Sequence, residues 1–136
     1  MGGLGFNLSY LGGNAESVKT LHEAKGGVIK SAAIDAEVLR LAFEDGRTLE
    51  IYDDAQSCCE VRHMSTDDKL DDMIGSMFVE VELAEAQPDT EKGEYGEAHE
   101  RLFLDLKTSK GVFTLVSHNE HNGYYGGIMP RLRWGS

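Results

Sequence analysis

The stretch Arg101-Leu-Phe-Leu-Asp-Leu-Lys-Thr-Ser-Lys-Gly-Val-Phe-Thr-Leu-Val116 decides the fold class. Leu102, Leu104 and Leu106 fall on alternate positions, which puts them on one face of a β-strand. Thr108-Ser109-Lys110-Gly111 is rich in turn formers, and Val112 to Val116 returns as a second strand. An earlier stretch repeats the plan. Leu39, Leu41 and Phe43 share one face, Glu44-Asp45-Gly46-Arg47 turns, and Leu49 and Ile51 point inward on the way back. Two β-hairpins therefore organise the chain.

Working outward, Asn14 is a good N-cap, Glu16 places negative charge in a first helical turn, and Gly26-Gly27 stop the run. These signals predict a helix over Ala15–Ala24, with Val18 and Leu21 on its apolar side. Val28 to Ile34 reads as a strand. Cys58 to Met64 reads as another, with Cys59, Val61 and His63 on one side. Ser65 and Asp68 have capping-box spacing, and Leu70, Met73 and Ile74 make an apolar stripe that ends at Gly75, which predicts a second short helix. Met77 to Ala84 alternates, with Val79, Val81 and Leu83 inward and Glu80 and Glu82 outward. Ile128 to Trp134 is a last strand, and Pro130 argues for an edge position. The expected fold is α+β, an antiparallel sheet of roughly six or seven strands built from the two hairpins, with two short helices on a face or end. The chain reads as a single domain over residues 1–136, with 1–13 as a mobile arm and 87–98 as an acidic loop.

The formal net charge of −11, from 24 acidic against 13 basic residues, disfavours polyanionic partners, so direct nucleic-acid binding and anionic membranes are unfavourable. It suits a protein partner with basic groups. Cys58 and Cys59 are adjacent and make no disulfide framework. The sequence has no apolar run of about 18 residues and no secretory signal at its start, which predicts a soluble protein of the cytoplasm.

The densest polar chemistry lies in Ser117-His-Asn-Glu-His-Asn-Gly-Tyr-Tyr-Gly-Gly127. It follows the second hairpin and reads as a polar loop. His118 and His121 are weak metal candidates. Histidines three apart diverge on a strand and converge only on a turn, and the spacing lacks the helical zinc-protease pattern. No metal or other cofactor is assigned. Asn122-Gly123 signals a tight turn that aims Tyr124 and Tyr125. These tyrosines could stack on a ligand ring, with Arg131 and Arg133 downstream to pair with phosphate. Each hairpin is followed by a polar segment, one holding Asp53, Asp54, Cys58 and Cys59, the other His118, Glu120 and His121. Hairpins lying side by side would bring these segments to one end of a sheet. The candidate ligand- or partner-binding residues are Cys58, Cys59, Asn122, Tyr124, Tyr125 and Arg131. No Ser-His-Asp, P-loop or dinucleotide pattern is present, and no residue is assigned a catalytic role.

Cys58-Cys59-Glu60, the helix end Ile74-Gly75-Ser76, the strand Phe78 to Leu83 and the segment Asn122-Gly-Tyr-Tyr-Gly-Gly127 occur in that order. In this the chain resembles a family of small uncharacterised proteins of tailed bacteriophages and prophages, over residues 25–134. The resemblance implies a phage accessory protein at work inside an infected bacterial cell, and it carries over no catalytic residues. Together with the acidic balance it leads to the expectation of a non-catalytic protein-interaction module, directed against a host factor. The alternatives are a binder of a small nucleotide signal and a metal-dependent enzyme.

Overall fold

The computed structural model describes residues 15–35, 37–54, 61–85, 91–93, 98–121 and 128–135. Helix α1 (Ala15–Ala24) leads into β1 (Ile29–Asp35), β2 (Val38–Phe43) and β3 (Thr48–Asp53). Then come β4 (Val61–Ser65), a single 3-10 turn (Leu70–Met73), β5 (Phe78–Leu83), β6 (Glu91–Lys92), β7 (Ala98–Thr108), β8 (Gly111–His121) and β9 (Pro130–Trp134). The strands form two antiparallel sheets. One has the order β1-β2-β3-β9. The other has the order β4-β8-β7-β5, with β6 paired to β7 beyond the end of β5.

The expected single α+β sheet with two helices is thus corrected to a mostly β protein of two sheets. Each hairpin has one apolar face. In a single sheet those faces would need helical cover, and the described helical segments, α1 and one 3-10 turn, are too small to provide it. The hairpins cover each other instead. Leu39, Leu41, Phe43, Leu49, Ile51 and Leu132 face Val81, Leu102, Leu104, Leu106, Phe113 and Leu115 in one continuous core. Burying such side chains contributes roughly 1.5–3 kcal/mol each, so this facing outweighs any single edge contact.

The seams between the sheets are closed by specific bonds. At one, Phe78 N–H donates to Gly27 O and Gly26 N–H to Phe78 O, while Ile29 N–H donates to Ser76 O and Gly75 N–H to Ile29 O, all at 2.8 Å. At the other, β9 is an edge strand, as Pro130 suggested, and α1 covers it. Buried Ser17 of α1 accepts from Leu132 N–H at 3.0 Å and donates to Leu132 O at 3.3 Å, which satisfies backbone groups the edge would otherwise expose.

Four local expectations change. Ser65 ends β4 and does not cap a helix. The carboxylate of Asp68 accepts from Thr114 N–H at 2.7 Å, and Thr66 Oγ1 donates to Thr114 O at 2.6 Å, so this segment is tied to β8. In β4, Arg62 and Met64 face inward, leaving Val61 61% exposed. In β5, the register slips between Phe78 and Glu80, so Phe78 and Val81 both point inward while Val79 faces solvent. The acidic segment contributes β6, and Ala98 belongs to β7.

Candidate functional site

The second hairpin runs well past Val116. Counting outward from the turn at Thr108–Gly111, β7 and β8 stay paired as far as Ala98 opposite His121. Ser117 to His121 is therefore strand and not loop, because its alternate residues Ser117, Asn119 and His121 continue the inward phase of Phe113 and Leu115. His118 and His121 consequently leave opposite faces of the sheet.

On the outer face, β4, β8 and β7 set His63, His118 and Arg101 in one row. His99 and Glu120 form the next row. The His63 and His118 rings stack 4.1 Å apart and nearly parallel, at 7°. The His99 ring lies 5.1 Å from His118. Both nitrogens of His118 are engaged: Nε2 lies 2.7 Å from Ser65 Oγ, and Nδ1 lies 2.9 Å from His99 Nε2. Two neutral tautomers satisfy this chain. In one, the Ser65 hydroxyl donates to Nε2 and Nδ1–H donates to His99; in the other the direction reverses.

Burial pushes the His118 imidazole down to about 4, assisted by the neighbouring His63 and His99 and by Arg101, with Glu120 opposing. The ring is neutral at physiological pH. The unfolded chain binds this proton near pH 6.5, so folded-state stability is complete above about 6.5 and declines as pH falls toward 4. After discounting for partial exposure, the loss is on the order of 1–2 kcal/mol. Urea unfolding from pH 7 to 4 should show this decline, and His118→Asn should flatten it. An unchanged slope in the variant would contradict the assignment.

On the inner face at the same end lies a buried charged cluster. Arg62 Nη1 donates to Asp53 Oδ2 at 2.6 Å, with both side chains almost wholly buried. His121 Nε2 meets Glu100 Oε1 at 2.6 Å, and Asn119 is fully buried beside them on β8. Asp53 Oδ1 also accepts from Met129 N–H at 2.9 Å, just before β9. Of the polar segments expected to converge, Asp53 does meet β4, but through an ion pair inside the protein. The two hairpins belong to different sheets and do not lie side by side.

The candidates Cys58, Cys59, Asn122, Tyr124 and Tyr125 lie outside the described residues. Arg131 is half-buried on β9 opposite Tyr52, and its Nη1 donates to Pro130 O at 3.1 Å. Arg133, the other residue read as a phosphate partner, is ion-paired to Glu50 at 2.7 Å and lies 4.0 Å over the Tyr52 ring. Glu50 takes Arg40 on its other oxygen at 2.8 Å, and the two guanidiniums, Arg133 first, hold its carboxyl below the usual range. Among the described residues, no three His, Cys, Asp or Glu side chains are grouped to hold a metal ion.

A cleft of about 700 Å³ opens beside β1. One wall is the strand itself, at Ala32, Ala33 and Ile34; the other runs from Met64 to Asp71 and includes Ser65. The sequence reading missed Ser65 and His99. Ser65 looked like a helix cap, and His99 fell between the acidic loop, read as 87–98, and the hairpin, read from Arg101. The signal for His99 was available: extending the hairpin register outward from its turn sets His99 and Arg101 beside His118.

No curated protein and no solved structure matches the chain. A family model does match, over residues 16–129, which takes in β1 to β8 and the histidine row. The chain belongs to the family described as a domain of unknown function, DUF7448.

Proposed function

We propose that the protein is a protein-interaction module that receives an extended segment of a partner polypeptide in the cleft beside β1. The observation that carries this reading is the free edge of β1 facing that cleft. Among the described residues, the strand from Ser31 to Asp35 is paired only to β2. Residues 35 and 38 close a two-residue hairpin, so alternate backbone groups, those of Ala32 and Ile34, point away from β2 and toward the opening. An added strand would find hydrogen-bonding groups there, an apolar floor of Ala32, Ile34, Met64 and Leu70, and acidic side chains at Asp68 and Asp71. The net charge of −11 favours a basic segment. The bacterial-cell setting and a host-encoded partner enter with this proposal, and the motif order from Cys58 to Gly127 supports them.

The test is affinity capture from a bacterial lysate, followed by reassembly of the complex from purified components. The paired changes Ala33→Lys and Asp71→Lys alter exposed positions, and they should weaken the reassembled complex by roughly tenfold or more, as positive charge introduced at an edge that receives a basic segment does. Equal affinity of the double variant for the purified partner would sink the reading.

A further inference from the structure

We propose that Ser65 is a nucleophile for acyl transfer, that His118 is its general base, and that His99 is the residue that positions the base. This goes beyond partner binding and does not depend on it. Three observations combine. Ser65 Oγ is 2.7 Å from His118 Nε2, within reach for proton transfer. His118 Nδ1 is 2.9 Å from His99 Nε2, so a second imidazole stands behind the base where a triad has its orienting group. Ser65 lines the cleft of about 700 Å³, which is a volume suited to a small acyl group and its leaving group. The near-parallel His63 ring holds one face of the base and restricts its rotation.

The substrate class is a carboxylic ester with a good leaving group. The Ser65 oxygen forms a bond to the ester carbonyl carbon as its proton passes to His118 Nε2. The bond from that carbon to the leaving oxygen breaks, and His118 returns the proton to the departing alkoxide, giving an alcohol and acyl-Ser65. Water then attacks the same carbon, again through His118, and releases a carboxylic acid with Ser65 restored. No oxidant or metal enters the balance. His118, held down to about 4, stays neutral and able to accept the proton through the physiological range. Its low basicity is the reason the leaving group must be good.

The experiment uses two probes on the full chain. An alkyl fluorophosphonate forms a phosphorus–oxygen bond at an activated serine and expels fluoride. Intact-mass and peptide analysis should find one adduct, on Ser65. Labelling should vanish in Ser65→Ala and slow by roughly a hundredfold or more in His118→Gln, the usual range for loss of a general base. His99→Gln should slow it less and move the acid limb of the rate profile to higher pH, because His99 is among the groups that lower His118. His63, Arg101 and Glu120 face the same ring and are unchanged in that variant. A wholly structural role for His99 would leave the limb in place. The second probe, p-nitrophenyl acetate, needs no variant: wild-type protein should release a burst of p-nitrophenolate equal to the chain concentration. No adduct on Ser65 and no burst, or equal labelling in a folded His118→Gln, would overturn the proposal.

Discussion

Replacing Phe43 by alanine should cost about 3–5 kcal/mol of folding stability, as deletion of a large buried ring does. Phe43 ends β2 and is 2% exposed. Its ring lies 6.3 Å from Phe78 of the facing sheet and 6.1 Å from Trp134 of β9, the latter edge to face. The Arg47 guanidinium covers Trp134 at 4.4 Å and Phe43 at 5.8 Å. Gly27 passes so close that a β-carbon there would meet the ring at 3.2 Å. One side chain thus touches both sheets and the segment that closes a seam. The cavity left by alanine cannot collapse without moving a strand of each sheet, which puts the cost above that of an ordinary core truncation. Phe43→Leu keeps most of the volume and should cost clearly less, about 1–2 kcal/mol. Urea unfolding of the two variants measures this; a loss under about 1 kcal/mol for the alanine would show that the sheets do not rely on this contact.

The parts of this architecture that can be read locally are its turns and hairpins. Gly46 takes a φ of +94° in the first hairpin turn, which the Asp-Gly pair anticipates, and α1 occupies Ala15–Ala24 between its cap and glycine signals. The sheet to which each hairpin belongs is not local. Alternation says that Leu39, Leu41 and Phe43 are buried together, and it is silent on what buries them. The count of helical residues was the usable clue, since too little helix was predicted to cover a single broad sheet. The slip at Val79 leaves no sequence trace, because Val79, Val81 and Leu83 alternate with Glu80 and Glu82 as they would in an unbroken strand. The polar end of β8 escapes the sequence for a different reason. Apolar periodicity detects strands whose inner face is greasy, whereas Ser117, Asn119 and His121 are polar side chains facing inward, the last two against charged groups. Their partners, Glu100 on β7 and Arg62 on β4, are distant in sequence. The cluster of His63, His118 and His99 was legible only in part: hairpin register brings His99 to His118, but nothing local brings β4 alongside β8.

Replacing Asp53 by alanine should cost about 3 kcal/mol, the lower end of the range for removing one partner of a buried ion pair. Asp53 and Arg62 have side chains only 3% and 6% exposed, so neither can fall back on bulk water. Deletion of the carboxylate takes away the 2.6 Å charge-assisted bond and leaves the guanidinium inside a region of low polarisability. Arg62 keeps interactions with other groups, which is why the lower figure applies. Asp53 also accepts from Met129 N–H, so its loss loosens the entry to β9 as well as the join between β3 and β4. Asn at position 53 can still accept from Met129 N–H but carries no charge, and should recover only part of the loss. A double variant, Asp53→Leu with Arg62→Met, removes both charges and should be more stable than Asp53→Ala alone, because the destabilisation comes from an uncompensated charge and not from the absence of the pair. The cycle is read by denaturant midpoint at constant slope. If the double variant were instead no better than the single one, the pair would be contributing net attraction beyond its desolvation cost. The outer face supplies a second readout. Arg62 lies between Val61 and His63 on β4, and β4 carries Ser65 to His118. A loosened β4 should therefore raise amide exchange at Val61 through Ser65 before it affects the β2–β3 hairpin, and uniform loss of protection across both sheets would show that the cluster acts on the whole fold and not on this strand.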